Sequence, residues 1–126
     1  MQDNNSAKNE VRELIYAEYD REIRLLEQER DQIEKEKKVL EKDQDSFDEV
    51  HRGLRSVFRE ICKCCEADDF IFEIEECEDD IYDEYRKCEN YLEEKKDALT
   101  EEWRKTYDKE EELELTMKRK LKDLDT

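Results

Sequence analysis

Seven residues recur at a strict spacing of seven: Tyr19, Leu26, Ile33, Leu40, Phe47, Leu54 and Ile61. Each is apolar or aromatic, and nearly everything between them is charged. Such spacing returns a side chain to the same seam every two turns, and a helix buries that seam only against another helix. With no proline and a single glycine, Gly53, in 126 residues, little interrupts such a helix. A chain of this kind is expected to act by binding helices.

Charged residues make up 52% of the chain and apolar ones 35%, a balance that suits exposed helices or disorder. Register decides between the two, because a disordered chain has no reason to keep its apolar residues in phase. The length suits one domain. The expectation is a disordered N-terminus over residues 1–6 and a single helical-hairpin domain over 7–126. No uncharged run approaches a membrane span, and the opening Met-Gln-Asp-Asn-Asn-Ser lacks the basic start and apolar core of a signal peptide.

A net charge of −17 repels nucleic-acid backbones and anionic lipid surfaces, which argues against both as partners. The acidity is uneven. Residues 1–62 hold 12 Lys/Arg against 17 Asp/Glu, whereas residues 63–126 hold 12 against 24. Between residues 66 and 84 there are eleven acids and no base, which reads as a solvated helix face or a docking patch for a basic partner. Five cysteines, an odd count without a secretory signal, read as reduced thiols of a cytoplasmic protein.

The second half carries its own helical stripe: Ile74, Cys77, Ile81, Tyr85, Cys88, Leu92, Leu99, Trp103, Leu113, Met117, Leu121 and Leu124. Most of its steps are 3, 4 or 7, as one helix face requires. Periodicity breaks over residues 63–69, where Asp68 and Asp69 offer N-cap carboxylates and Glu73 suits a first turn. Folding the chain about residue 66 pairs Phe47 with Tyr85, Leu40 with Leu92 and Ile33 with Leu99. It also pairs Tyr19 with Leu113, Ile15 with Met117 and Val11 with Leu121. Leu26 alone meets a polar residue, Thr106, with Trp103 one turn away to cover it. The register predicts an all-α fold, a long antiparallel two-helix hairpin of coiled-coil type. Its arms run over about 7–62 and 69–124 with a tip near 63–69.

Ser46-Phe47-Asp48-Glu49 matches a capping box and could start a new helix or kink the first near residues 43–46. The seven-residue repeat crosses it without a slip, which favours continuity. The middle of the first arm is thin in apolar residues. Positions three and four after its seam residues are Glu29/Arg30, Glu36/Lys37 and Asp43/Gln44, so the hairpin is expected to need company. Leu14, Leu25 and Val39 lie off the seam at steps of 11 and 14, within about 20° on one helix face, and Val50 and Val57 extend the line. These five, with Tyr82 and Tyr91 on the second arm, are the candidate partner-binding residues; the alternative is that they widen the intramolecular seam.

No catalytic constellation is present. His51 is read as a surface or seam-edge residue, and the chain has neither a phosphate-binding loop nor a nucleophile elbow. Cys62, Cys64 and Cys65, with Cys77, form the one grouping with metal chemistry. Three thiols within four residues fit packing at a tight turn better than the paired spacing of a zinc site. Cys77 and Cys88 are read as core. The expectation is therefore no enzyme, no cofactor and no metal.

The segment Glu66-Ala67-Asp68-Asp69-Phe70 leads into an acidic helix, followed by Tyr91-Leu92-Glu93-Glu94-Lys95-Lys96-Asp97-Ala98-Leu99 and by Trp103 with Tyr107-Asp108-Lys109-Glu110. This organisation resembles the WXG/ESAT-like helical hairpins of bacterial type VII secretion, and more closely the α-helical targeting proteins that accompany LXG toxins. The resemblance implies a cytoplasmic partner that binds the toxin's N-terminal helical domain, with or without a sister hairpin, and promotes its export, leaving with it or staying behind. It departs from the WXG pattern, because Cys64-Cys65-Glu66 stands where Trp-x-Gly is found. Tyrosine–acid spacings of four occur at Tyr16, Tyr85 and Tyr107, little above the roughly two expected by chance in so acidic a chain. A self-associating coiled-coil scaffold, closed as a homodimer, is the competing reading.

Overall fold

The computed structural model describes the backbone of residues 2–64 and 70–126, with side chains from residue 4 onward. Two helices account for nearly all of it: α1, Gln2–Cys64, and α2, Ile71–Asp125. They pack against each other as an all-α helical hairpin, with no strand among the described residues. Both helices are dominated by Glu, Lys, Arg and Leu, which lose little rotamer freedom in helical geometry. The first starts earlier than the periodicity implies, at Gln2 instead of near residue 7. Helical pairing runs unbroken through residues 43–46, so the Ser46 motif starts no new helix.

The second helix opens on Phe70, whose carbonyl accepts a hydrogen bond from the Ile74 amide at 3.0 Å. Phe70 thus stands at the position just outside the helix. Glu73 in the first turn and Lys122 in the last both complement the helix dipole. At the far end the Thr126 hydroxyl donates to the Asp123 carbonyl at 2.9 Å, satisfying one terminal acceptor. Of the expected tip and its caps, Cys65, Glu66, Ala67, Asp68 and Asp69 lie outside the described residues.

The chain divides into two compact units. Unit 1 combines Met1–Lys35 with Leu99–Thr126. Its core holds Leu26, Ile33 and Leu99, with Thr106 fully buried among them. Ile15 and Tyr19 share a groove with Leu113 and Met117, in the antiparallel register expected. Ion pairs line its flanks: Arg12 with Asp125 at 2.9 Å, Glu18 with Lys120 at 3.3 Å and Glu29 with Lys109 at 3.6 Å. Exposed pairs of this sort are worth about 0–1 kcal/mol each, so they accompany the register more than they enforce it.

Unit 2 is Glu36–Ala98. None of its described residues is fully buried; Leu40, Phe47, Phe58, Ile74, Ile81, Tyr85 and Leu92 are half-buried. Phe47 stacks on Tyr85 with ring centroids 5.0 Å apart and planes 1° from parallel, the pairing read from the register. Two seam residues behave differently from expectation. Leu54 and Ile61 are each 38% exposed, whereas His51, Phe58 and Cys62 turn inward. Leu54 still faces α2, lining a groove with Ile81 and Tyr85, and is exposed because that groove is open.

Candidate partner-binding surface

The inner face of α1 explains how a thin apolar seam still closes. Ile23, Arg30, Lys37, Gln44, His51 and Phe58 are spaced by seven and all half-buried. They are the second seam position of each heptad, four residues after the apolar one. Long polar side chains fill it with their aliphatic stems while their ends stay wet or find partners.

In unit 1 this produces a polar layer where Leu26 was expected to meet a mismatched threonine. Arg30 Nε donates to the Thr106 hydroxyl at 2.9 Å, and Arg30 Nη2 pairs with Glu110 at 2.7 Å. The Thr106 hydroxyl in turn donates to the Trp103 carbonyl at 2.6 Å. The Arg30 guanidinium lies over the Tyr107 ring, 4.6 Å from its centroid. Thr106 is no defect, because its one donor and an acceptor site are both used. It lies on the line Leu92, Leu99, Thr106, Leu113, a seven-residue repeat that a search for apolar residues alone passes over.

In unit 2 the corresponding centre is aromatic. His51 stacks on Tyr85 at 3.7 Å, and the Tyr85 hydroxyl donates to Asp48 at 2.8 Å. That hydrogen bond, reinforced by burial and by the Asp48 charge, pushes the Tyr85 phenol up to about 12. In unit 1 the Tyr19 phenol is also raised, first by burial and then by Glu114, Glu110 and Asp20. Neither environment makes a general acid or base for neutral pH, since both favour the protonated phenol.

All seven candidate partner-binding residues lie on the outside. Their exposure runs from 47% at Tyr82 to 68% at Leu14, with Leu25, Val39, Val50, Val57 and Tyr91 between. Leu14 and Leu25 belong to unit 1, and the other five to unit 2. Phe70, Phe72 and Leu115 are exposed as well and were not foreseen. Phe72 follows half-buried Ile71 by one position and Leu115 follows half-buried Leu113 by two, which on a helix means a turn of about 100–200° from the seam. Val11, expected against Leu121, is exposed too, while Leu121 is half-buried.

The cysteines correct one expectation. Cys77 and Cys88 are exposed, not core. Glu78 takes the inner position between Ile74 and Ile81, leaving Cys77 to one side. Cys88 is on the inner line but edges a groove that nothing covers. Cys62 is half-buried and Cys64 exposed. Among the described residues no three His, Cys, Asp or Glu are placed to hold a metal ion. Among the same residues, no helix is long and apolar enough to cross a membrane. Comparison with protein-family models, curated proteins and solved structures returned no match.

Proposed function

We propose that this chain is a non-enzymatic helical partner, which offers the outer apolar face of its hairpin to helices of another protein. The observation that carries the reading is the distribution of burial. Among the described residues Leu26, Ile33 and Leu99 are the buried apolar ones, whereas Leu14, Leu25, Val39, Val50 and Val57 stand in water along one helix. Exposed apolar residues at helical spacing suit a helix laid alongside. The resemblance to LXG-associated targeting proteins supplies the partner's class: the N-terminal helical domain of a type VII secreted toxin, held in the cytoplasm for export.

The test is co-expression with such a domain. The toxin domain alone is expected to be poorly soluble and to elute as a single complex with this chain in size-exclusion chromatography. Separate elution overturns the reading. Self-association is the alternative, and light scattering on the isolated chain decides it. A charge of −17 on every copy opposes a dimer, which favours a partner of different composition.

A further inference from the structure

Unit 2 contains an open apolar groove of about 280 Å³. Phe47 and Tyr85 form part of its lining, with His51 stacked on Tyr85 and the Tyr85 hydroxyl tied to Asp48. Leu54 and Ile81 contribute apolar lining, and Val50 and Cys88 complete the apolar part. Sites for free small molecules run from roughly 300 to 1,000 Å³ and enclose their ligand, so this open cleft suits an inserted side chain better. Stacking and hydrogen bonding already hold its aromatic residues, which lowers the ordering cost of filling it.

The charged residues that line the groove are both acids, Asp80 and Glu84. They sit four apart on α2, neighbours on one helix face. The surrounding unit, residues 36–98, carries 22 Asp/Glu against 11 Lys/Arg, a net −11 out of the chain's −17. The bases nearest in sequence, Arg86 and Lys87, follow on α2, and Lys87 pairs with Glu84 at 3.2 Å, an exposed contact worth about 0–1 kcal/mol that a partner's cation can replace. From residue 71 to residue 85 α2 carries eight acids and no base, while Arg52 and Arg55 are on α1. A cationic partner is therefore drawn to the α2 side.

We infer that this groove docks an amphipathic helix of another protein, one that inserts a bulky apolar anchor and sets a Lys/Arg pair, four residues apart, against Asp80 and Glu84. The inference rests on the reading of the chain as a helix binder and narrows it to a basic class of segment. The two fail separately. Coelution with a toxin domain requires no basic segment, and peptide binding requires no toxin.

The test titrates the full chain, by calorimetry, with a synthetic helical peptide built of leucine and lysine. A second peptide keeps every lysine but replaces leucine by alanine. The first peptide is expected to bind, and the second to bind at least ten-fold more weakly. Val50→Asp in the groove, and Asp80→Lys combined with Glu84→Lys, should each weaken the first peptide at least ten-fold. Ala17→Asp, on the exposed surface of unit 1, should leave binding unchanged; circular dichroism checks that each variant stays helical. Equal binding of the two peptides, or undiminished binding to Val50→Asp, overturns the proposal. So does no binding at all, or a dimer in light scattering that Val50→Asp dissolves, since a second copy would then fill the groove.

Discussion

Arg30 reaches across from α1 to give its Nε hydrogen to the hydroxyl of Thr106, 2.9 Å away, at the most deeply buried position described in the molecule. Both residues stand where a two-stranded seam normally places apolar side chains. A polar pair there specifies register, because sliding either helix by one turn would leave a buried donor and acceptor unmatched.

Thr106→Val keeps the shape but removes the acceptor of Arg30 and the donor to Trp103. It should destabilise the protein by about 1–3 kcal/mol in urea unfolding. Adding Arg30→Met removes the stranded donor, and the double variant should recover part of that loss. Strict additivity of the two changes would show that the residues do not interact.

The Tyr85 phenol titrates at about 12 in the folded protein, against about 10 in an unfolded chain. Its raised value means the protonated form is favoured by folding. The associated stability is complete below pH 10 and is lost as pH rises toward 12. Asp48→Ala removes the largest cause and should bring one tyrosine back toward the ordinary value. Absorbance of the phenolate, wild type against variant, reads this directly; coincident curves would refute it.

Gly53 lies inside α1 with a helical backbone and nothing within 4 Å of where a Cβ would stand. Gly53→Ala should therefore stabilise the fold by about 0.5–1 kcal/mol, through lower unfolded-state entropy and better helix propensity. A rise of a few degrees in melting temperature is expected. A fall would mean that some contact there needs the bare backbone.

Neighbours in sequence separate folding from binding. Leu26 is buried and Leu25 exposed, so Leu26→Ala should cost about 2–5 kcal/mol, and Leu25→Ala within about 0.5 kcal/mol of nothing. Val39→Asp, on the same exposed line, should leave the melting temperature unchanged and abolish coelution with the toxin domain. If Val39→Asp unfolds the chain, the line belongs to the internal seam.

The hairpin itself was legible because seven-residue spacing survives any amount of charge between the apolar positions. The stacking of Phe47 on Tyr85 follows from the same register. Arg30 with Thr106, and His51 on Tyr85, were not legible. A search for apolar periodicity discards polar residues on the seam, although their spacing of seven was there to be read. The partial exposure of Leu54 and Ile61 was not legible either, because spacing places a residue on a face without saying how tightly that face closes. The outer line from Leu14 to Val57 was visible as a second phase of the same helix. What it binds is not written in that phase, because any apolar helix satisfies spacing alone.

The chain's one tryptophan, Trp103, meets Tyr107 edge-on within unit 1, ring centroids 6.2 Å apart. Its fluorescence is thus a built-in probe of that half, while far-ultraviolet ellipticity averages over both helices. Should the two signals melt at different temperatures, the better-packed half and the looser one would be unravelling in turn, and no dye or label would be needed to see it.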